Sequence, residues 1–187
     1  MHENPETSEQ TPEELARQAQ RGSSAAFDAL ARMFAPRLVR YLRRCTPRHE
    51  DAEDISQETL MRAVRSLRKY DPRRPFGVWL FTIATRLASN HARRRAMVDL
   101  DSAAPPAASG PTPCDEAAAR EEAGEIWPLA RRVLEDRPYQ ALWLRYGEDM
   151  DIQQVAEILG VTRLHARVLL HRARRTIMNA AGLRGEQ

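Results

Sequence analysis

From Pro12 to Met97 apolar side chains recur at intervals of three and four residues, the spacing of helices that each bury one face. The clearest run is Pro75 to Arg95. Leu80, Ala84, Leu87 and Ala88 form its core-facing stripe, and Pro75 stands where a helix start tolerates proline. Upstream, Asp51 to Val64 opens an acid-rich helix, a start favoured by the helix dipole, with Leu60, Val64 and Leu67 as its core stripe. Gly22, Pro36, Pro47 and the turn from Asp71 to Pro75 punctuate the block. Strand-like alternation, βαβ patterning and glycine-rich phosphate loops are absent, which excludes the common nucleotide-binding α/β folds.

A second helical block lies near the C-terminus. Ile152 to Leu159 reads as a short amphipathic helix, Gly160 stops it, and Thr162 is placed to cap the next. That next helix turns Ala166, Leu170, Ala173 and Ile177 inward. Leu164, Arg167, Val168, His171, Arg172 and Arg175 fall on or beside the opposite face. Between the blocks, Ala103 to Pro113 is rich in alanine and proline and predicts an extended tether. The expected architecture is all-α: an acidic segment over 1–21, a helical domain over 22–97, a flexible linker over 98–117 and a second helical domain over 118–187, with helices on each side of Pro138.

Composition refines this picture. The 187 residues are 42% hydrophobic, enough for real cores. The formal charge of +3 is unevenly spread: 1–14 and 99–125 are acidic, 93–95 and 163–175 rich in arginine, a segregation that favours a nucleic-acid partner. Lys69 is the sole lysine, so the positive charge is almost all guanidinium, suited to bidentate contacts but also a mark of a GC-rich genome. Cys45 and Cys114 lie far apart with no ligand spacing, so neither a disulfide framework nor a metal site is expected. No cofactor is expected either. The absence of a long apolar run or a basic-apolar leader predicts a cytoplasmic protein without membrane insertion.

Three constellations carry candidate chemistry. Trp79, Thr82, Ile83, Arg86, Asn90 and Arg93 share one face of the Pro75–Arg95 helix, a mixture that suits unpaired bases beside a phosphate backbone; packing of Trp79 with a solvated arginine end is the rival reading. Asp54 and Glu58 are like charges at i,i+4, relieved by an Arg62 pair or exploited by an outside partner. As an acid/base pair they lack any accompanying nucleophile, His or metal cluster. The Gly160–Thr162 turn between two helices is helix-turn-helix grammar, which would set the second helix in a major groove; a helical hairpin with a solvated charged face is the alternative.

Taken in order, these residues resemble the extracytoplasmic-function (group 4) sigma factors of bacterial RNA polymerase over about Ala26 to Ile177. Asp51-Ala52-Glu53-Asp54 with Gln57-Glu58 is similar to the family's polymerase-binding helix. Pro75-Phe76, Trp79-Leu80 and Ile83-Ala84 through the arginine block are similar to its melting and -10 region. Leu142 to Tyr146, Val155 to Gly160 and His171 to Arg174 are similar to its -35 domain.

The resemblance implies a specificity subunit rather than an enzyme. It implies that Asp51, Asp54, Gln57 and Glu58 bind core RNA polymerase, and that Tyr70, Trp79, Ile83, Arg86, Asn90, Arg93 and Arg94 bind the -10 strand. Thr162, Arg163, His165, Arg167, Val168, His171 and Arg172 would bind the -35 duplex. An anti-sigma factor and stress-type or envelope-type promoters are usual for the family. Asp99, Asp101, Asp115 and Glu116 of the tether would mimic nucleic-acid charge in the polymerase cleft or only keep the linker extended.

Two departures stand out. Arg86 occupies a position where relatives commonly carry asparagine in the base pocket. Leu164-His165-Ala166-Arg167-Val168-Leu169 replaces a common Gly-Thr-Val-Lys-Ser-Arg, losing an arginine at Leu169 and presenting apolar groups; Leu164 and Val168 suit either thymine methyls or a protein seal. The alternatives are a freestanding helix-turn-helix regulator and a sigma-like adaptor working through protein contacts.

Overall fold

The computed structural model describes residues 10–46, 48–101 and 126–182, with backbone alone at 49 and 98–101. Eight α-helices follow one another: α1 (Pro12–Gln20), α2 (Ser24–Cys45), α3 (His49–Ser66), α4 (Phe76–Asp101), α5 (Ile126–Val133), α6 (Asp136–Tyr146), α7 (Ile152–Leu159) and α8 (Arg163–Ala180). A short 3₁₀ turn, Leu67–Lys69, follows α3, and no strand occurs among the described residues. The all-α expectation therefore holds for both blocks, while most of the tether, with Cys114, Asp115 and Glu116, lies outside the described residues.

α1, within the segment read as acidic, packs on the helices of the first block. Thr11 caps α1 in a reciprocal box with Glu14, and Leu15 and Ala16 bury against the bundle. Gln20 Nε2 donates to the carbonyls of Leu67 (2.8 Å) and Tyr70 (2.7 Å), fixing the loop that leads to α4. Glu13 Oε1 accepts from the Phe76 N–H at 2.9 Å, an acidic cap supplied from outside α4 itself. The residues read as an acidic appendage thus position the start of the most informative helix.

Two other expectations change. Pro36 sits inside α2 without breaking it. The proline costs the Arg32 carbonyl its usual donor, but Phe34, Leu38, Tyr41 and Leu42 are buried along the same helix and hold it together. In α3 the inward residues are Ala52, Ile55, Ser56, Thr59 and Ala63; Val64 is 53% exposed and Leu60 half-buried. Small residues and Thr59, whose hydroxyl donates to the Ile55 carbonyl at 2.6 Å, let α3 approach its neighbours closely. In α4 the predicted stripe of Leu80, Ala84, Leu87 and Ala88 is buried, joined by Phe76, Val78 and Phe81.

In the second domain Pro138 lies within the first turn of α6 rather than between helices. Gly147 is required by close approach: a Cβ there would stand 2.9 Å from both the Trp143 ring and the Trp143 carbonyl oxygen. Asp149 follows in left-handed conformation (φ 52°), completing the turn into α7.

The two domains pack together. One apolar core runs through Leu38, Tyr41, Phe81 and Ala84 of the first domain and Ala141, Trp143, Leu144 and Val155 of the second. Arg37 on α2 lies over the Phe34 ring at 5.1 Å and donates through Nε to Glu148 Oε2 at 2.8 Å. Arg44 sits over the Trp143 ring at 5.4 Å, and Arg74 pairs with Glu157 on α7.

Candidate nucleic-acid interface

The N-terminal end of α4 is built on an aromatic stack. Tyr70 meets Phe76 at 5.3 Å and Trp79 at 5.0 Å, and Phe76 meets Trp79 at 5.5 Å. Tyr70, expected to reach DNA from its loop, is only 4% exposed, and its hydroxyl donates to the Arg74 carbonyl. Its ring supports Trp79 from behind. Burial first, then the carboxylates of Glu13 and Asp71, push the Tyr70 hydroxyl's pKa well up, with Arg17 opposing, so it stays a neutral donor. Trp79 is half-buried, both packed and presented.

From Trp79 the outward stripe descends α4 through Ile83, Arg86, Asn90 and Arg93 at helical spacing. Arg86, Asn90, Arg93 and Arg94 are exposed; Ile83 is half-buried. Arg86, Asn90 and Arg93 line one wall of a cleft of about 320 Å³ whose other wall is Arg137, Gln140 and Ile158 to Gly160 of the second domain. Three guanidinium groups and no carboxylate line that cleft, which makes it attractive to an anionic backbone.

On α3 the four predicted residues separate into different environments. Asp51 is turned inward, bonded to Arg95 Nη1 at 2.7 Å with His91 Nε2 at 3.7 Å, and its side chain is 17% exposed. It ties α3 to α4. Glu58 pairs with Arg62 at 2.6 Å, as i,i+4 spacing allows. Asp54 and Gln57 are exposed, and the same line continues into Met61 (47%) and Val64 (53%). Sequence reasoning missed these two apolar residues because Val64 fitted a core stripe; the alternation of small residues at 52, 59 and 63 was the available signal.

The helix-turn-helix forms as its caps dictate. Asp151 and Gln154 make a capping box at α7 (2.8 and 2.9 Å), Gly160 adopts the left-handed conformation (φ 64°), and Thr162 Oγ1 accepts from the His165 N–H at 3.1 Å. Arg137 Nη1 donates to the Leu159 carbonyl at 3.2 Å, bracing the turn. Ala166, Leu170, Ala173 and Ile177 are buried, as expected. Leu169 is also buried, at 6%, so its position is core and an arginine lost there would not have faced out with the other basic groups. Arg163, His165, Arg167, His171 and Arg172 are exposed, with Leu164 at 71% and Val168 at 40% between them. Thr162 serves as the cap.

Among the described residues no cluster of three or more His, Cys, Asp or Glu could hold a metal ion, and no helix is long and apolar enough to cross a membrane.

Comparison with known proteins places both domains. The Sigma-70 region 2 family matches residues 30–97 and the Sigma-70, region 4 family matches 132–177. RNA polymerase sigma factor CarQ of Myxococcus xanthus is 29% identical over 162 residues, spanning 81% of this chain and 86% of its own. ECF RNA polymerase sigma factor SigW of Bacillus subtilis is 24% identical over 172 residues, 86% of this chain and 91% of its own. The fold is similar to that of CnrH solved with the cytosolic domain of CnrY (TM-score 0.65, 22% identity, 91% of this chain and 97% of that one). It is likewise similar to the sigma factor RpoE solved with the anti-sigma factor NepR from Bartonella quintana (TM-score 0.68, 21% identity, 84% and 97%). With a helix-turn-helix, an aromatic-basic α4 and matches to both regions in order, the chain belongs to the sigma-70 family of RNA polymerase sigma factors, in its extracytoplasmic-function group.

Proposed function

We propose that this sigma factor docks on core RNA polymerase through Asp54 and Gln57 with the adjoining Met61 and Val64, and that Asp51 and Glu58 shape that surface from behind. Trp79, Ile83, Arg86, Asn90, Arg93 and Arg94 then hold the opened -10 strand. α8 reads the -35 duplex through Arg163, His165, Arg167, Val168, His171 and Arg172. The observation that carries this reading is the half-exposed Trp79 heading an exposed line of Arg86, Asn90 and Arg93, a stacking platform beside phosphate-binding groups. No step makes or breaks a covalent bond. Capturing an unstacked base offsets a few kcal/mol of unstacking and shifts the duplex toward the bubble, so the protein acts by binding rather than as an enzyme.

The packed arrangement bears on this function. Elements named for positions 35 and 10 lie roughly 25 base pairs apart, about 85 Å at 3.4 Å per step. α4 and α7 touch, so the domains must separate before both elements can be engaged at once. A partner that holds them together would keep the factor idle. CnrH was solved with the cytosolic domain of CnrY and RpoE with the anti-sigma factor NepR, and an anti-sigma factor is the regulator proposed here, acting in the cytoplasm.

The test is run-off transcription from a genomic library with core polymerase. Transcripts from a defined promoter set support the reading. Failure both to transcribe and to form a complex with core enzyme removes it, and duplex binding without polymerase would favour a freestanding regulator.

A further inference from the structure

We infer that Leu164 and Val168 form an apolar reader of thymine C5-methyl groups, so that the -35 element of this sigma factor is specified in part by paired A·T positions rather than by arginine–guanine bonds alone. The inference rests on α8 being the -35 helix. Leu164 and Val168 are the second and sixth residues of α8, one turn apart on its outer face, where recognition helices present their N-terminal side chains to base edges.

Their exposure is the observation to be explained. Leu164 is 71% and Val168 40% exposed, although buried alternatives exist on the same helix at Ala166, Leu169 and Leu170. Neither side chain is needed to fill the core. They are flanked by Arg163, Arg167 and Arg172, all exposed and without a carboxylate partner among the described residues. An apolar pair inside a ring of unpaired guanidinium groups fits a surface with negative edges and an apolar interior. A duplex major groove offers this combination: phosphates on both rims and thymine methyls on the floor. A protein surface sealing the two side chains would have to bring carboxylates for three arginines as well.

The geometry sets the spacing. Side chains at i and i+4 stand about 5–6 Å apart, which spans one to two base-pair steps. Leucine and valine cannot hydrogen-bond to guanine O6 or N7, so at these steps they favour thymine by contact and disfavour a base pair whose polar edge they would desolvate.

The experiment uses the full chain bound to core polymerase. Duplexes are first selected from a randomised pool, then the enriched sequence is resynthesised with uracil in place of each thymine in turn, which removes only the methyl. The expected result is weakening by roughly fourfold at each of two thymines one or two steps apart, the worth of one buried methyl. Leu164→Ala should abolish the penalty at one thymine and Val168→Ala at the other. Both positions are exposed and alanine favours helix, so both variants should fold.

Uracil tolerated everywhere on a selected site would overturn the inference while leaving -35 reading intact. So would Leu164→Ala weakening thymine and uracil duplexes equally, or weakening only the complex with core polymerase. If no duplex is enriched at all, the assignment of α8 to the -35 element falls, and the inference with it.

Discussion

Arg37 Nε lies 2.8 Å from Glu148 Oε2, across the boundary between the domains, and the Glu148 side chain is completely buried while that of Arg37 is 36% exposed. Among the described residues Glu148 Oε1 has no hydrogen-bond partner, and the bond from Arg37 to Oε2 crosses the boundary to this buried carboxylate. Glu148→Gln should weaken the closed state by about 1.5–3 kcal/mol, the range for bonds to charged groups. Fluorescence transfer between dyes on the two domains should report a larger mean distance. Arg37→Met, which keeps the stem on Phe34 but strands the acid, should be the more disruptive of the two; equal behaviour would show that the pair holds little.

Trp79→Ala should impair promoter opening more than polymerase binding. It should also lower stability, since the ring packs on Tyr70 and Phe76. The cost of about 2–4 kcal/mol would appear as a fall in Tm of several degrees. Asn90→Ala removes an exposed group on the same line and should reduce open complexes with Tm unchanged. Permanganate footprinting beside differential scanning fluorimetry separates the two effects.

On α3 the contrast lies between neighbours. Asp54→Lys should weaken core-polymerase binding at least tenfold at unchanged Tm, because its carboxylate is exposed. Asp51→Ala should lower Tm, corresponding to about 1–2 kcal/mol from the lost bond to Arg95, with a smaller effect on affinity. Reversal of that order in a binding titration would move the docking surface to the α3–α4 corner.

Alkaline pH should loosen the packed state. Burial, opposed by the Tyr41 hydrogen bond and by Arg131 across the interface, pushes the Cys45 thiol from 9.0 up to about 12, and burial likewise raises Tyr139 from 10.0 to about 12. Both groups are held neutral by folding. Their stabilisation is complete below pH 9 and is lost as pH rises from there toward 12. In a Cys114→Ser background, alkylation of Cys45 at pH 8 should be slow and should accelerate in Glu148→Gln, because Gln140 of the second domain hydrogen-bonds the thiol.

Much of this molecule could be read from its sequence because its strongest signals are local. The buried stripe of α4 and the Gly160–Thr162 turn depend on residues within one or two helical turns. What escaped depends on distant residues. Glu13 caps α4 from 63 positions away, and Arg37 meets Glu148 from 111 positions away, neither visible in any periodic pattern. Tyr70 looked like an exposed loop aromatic until Phe76 and Trp79 closed over it. Val64 looked like core because β-branched residues at helical spacing usually are, whereas Ala52 and Ala63 do that work here. Pro36 looked like a break, yet burial on both sides outweighs one lost hydrogen bond.

The shared apolar core has a thermodynamic consequence. Two small domains on a tether would ordinarily melt as separate units, each with its own transition. Because Tyr41, Phe81, Trp143 and Leu144 belong to one continuous core, the free chain should denature in a single cooperative step, its calorimetric and van't Hoff enthalpies agreeing. Polymerase then competes with the chain's own folding energy, and its apparent affinity is reduced by the fraction of molecules that are closed.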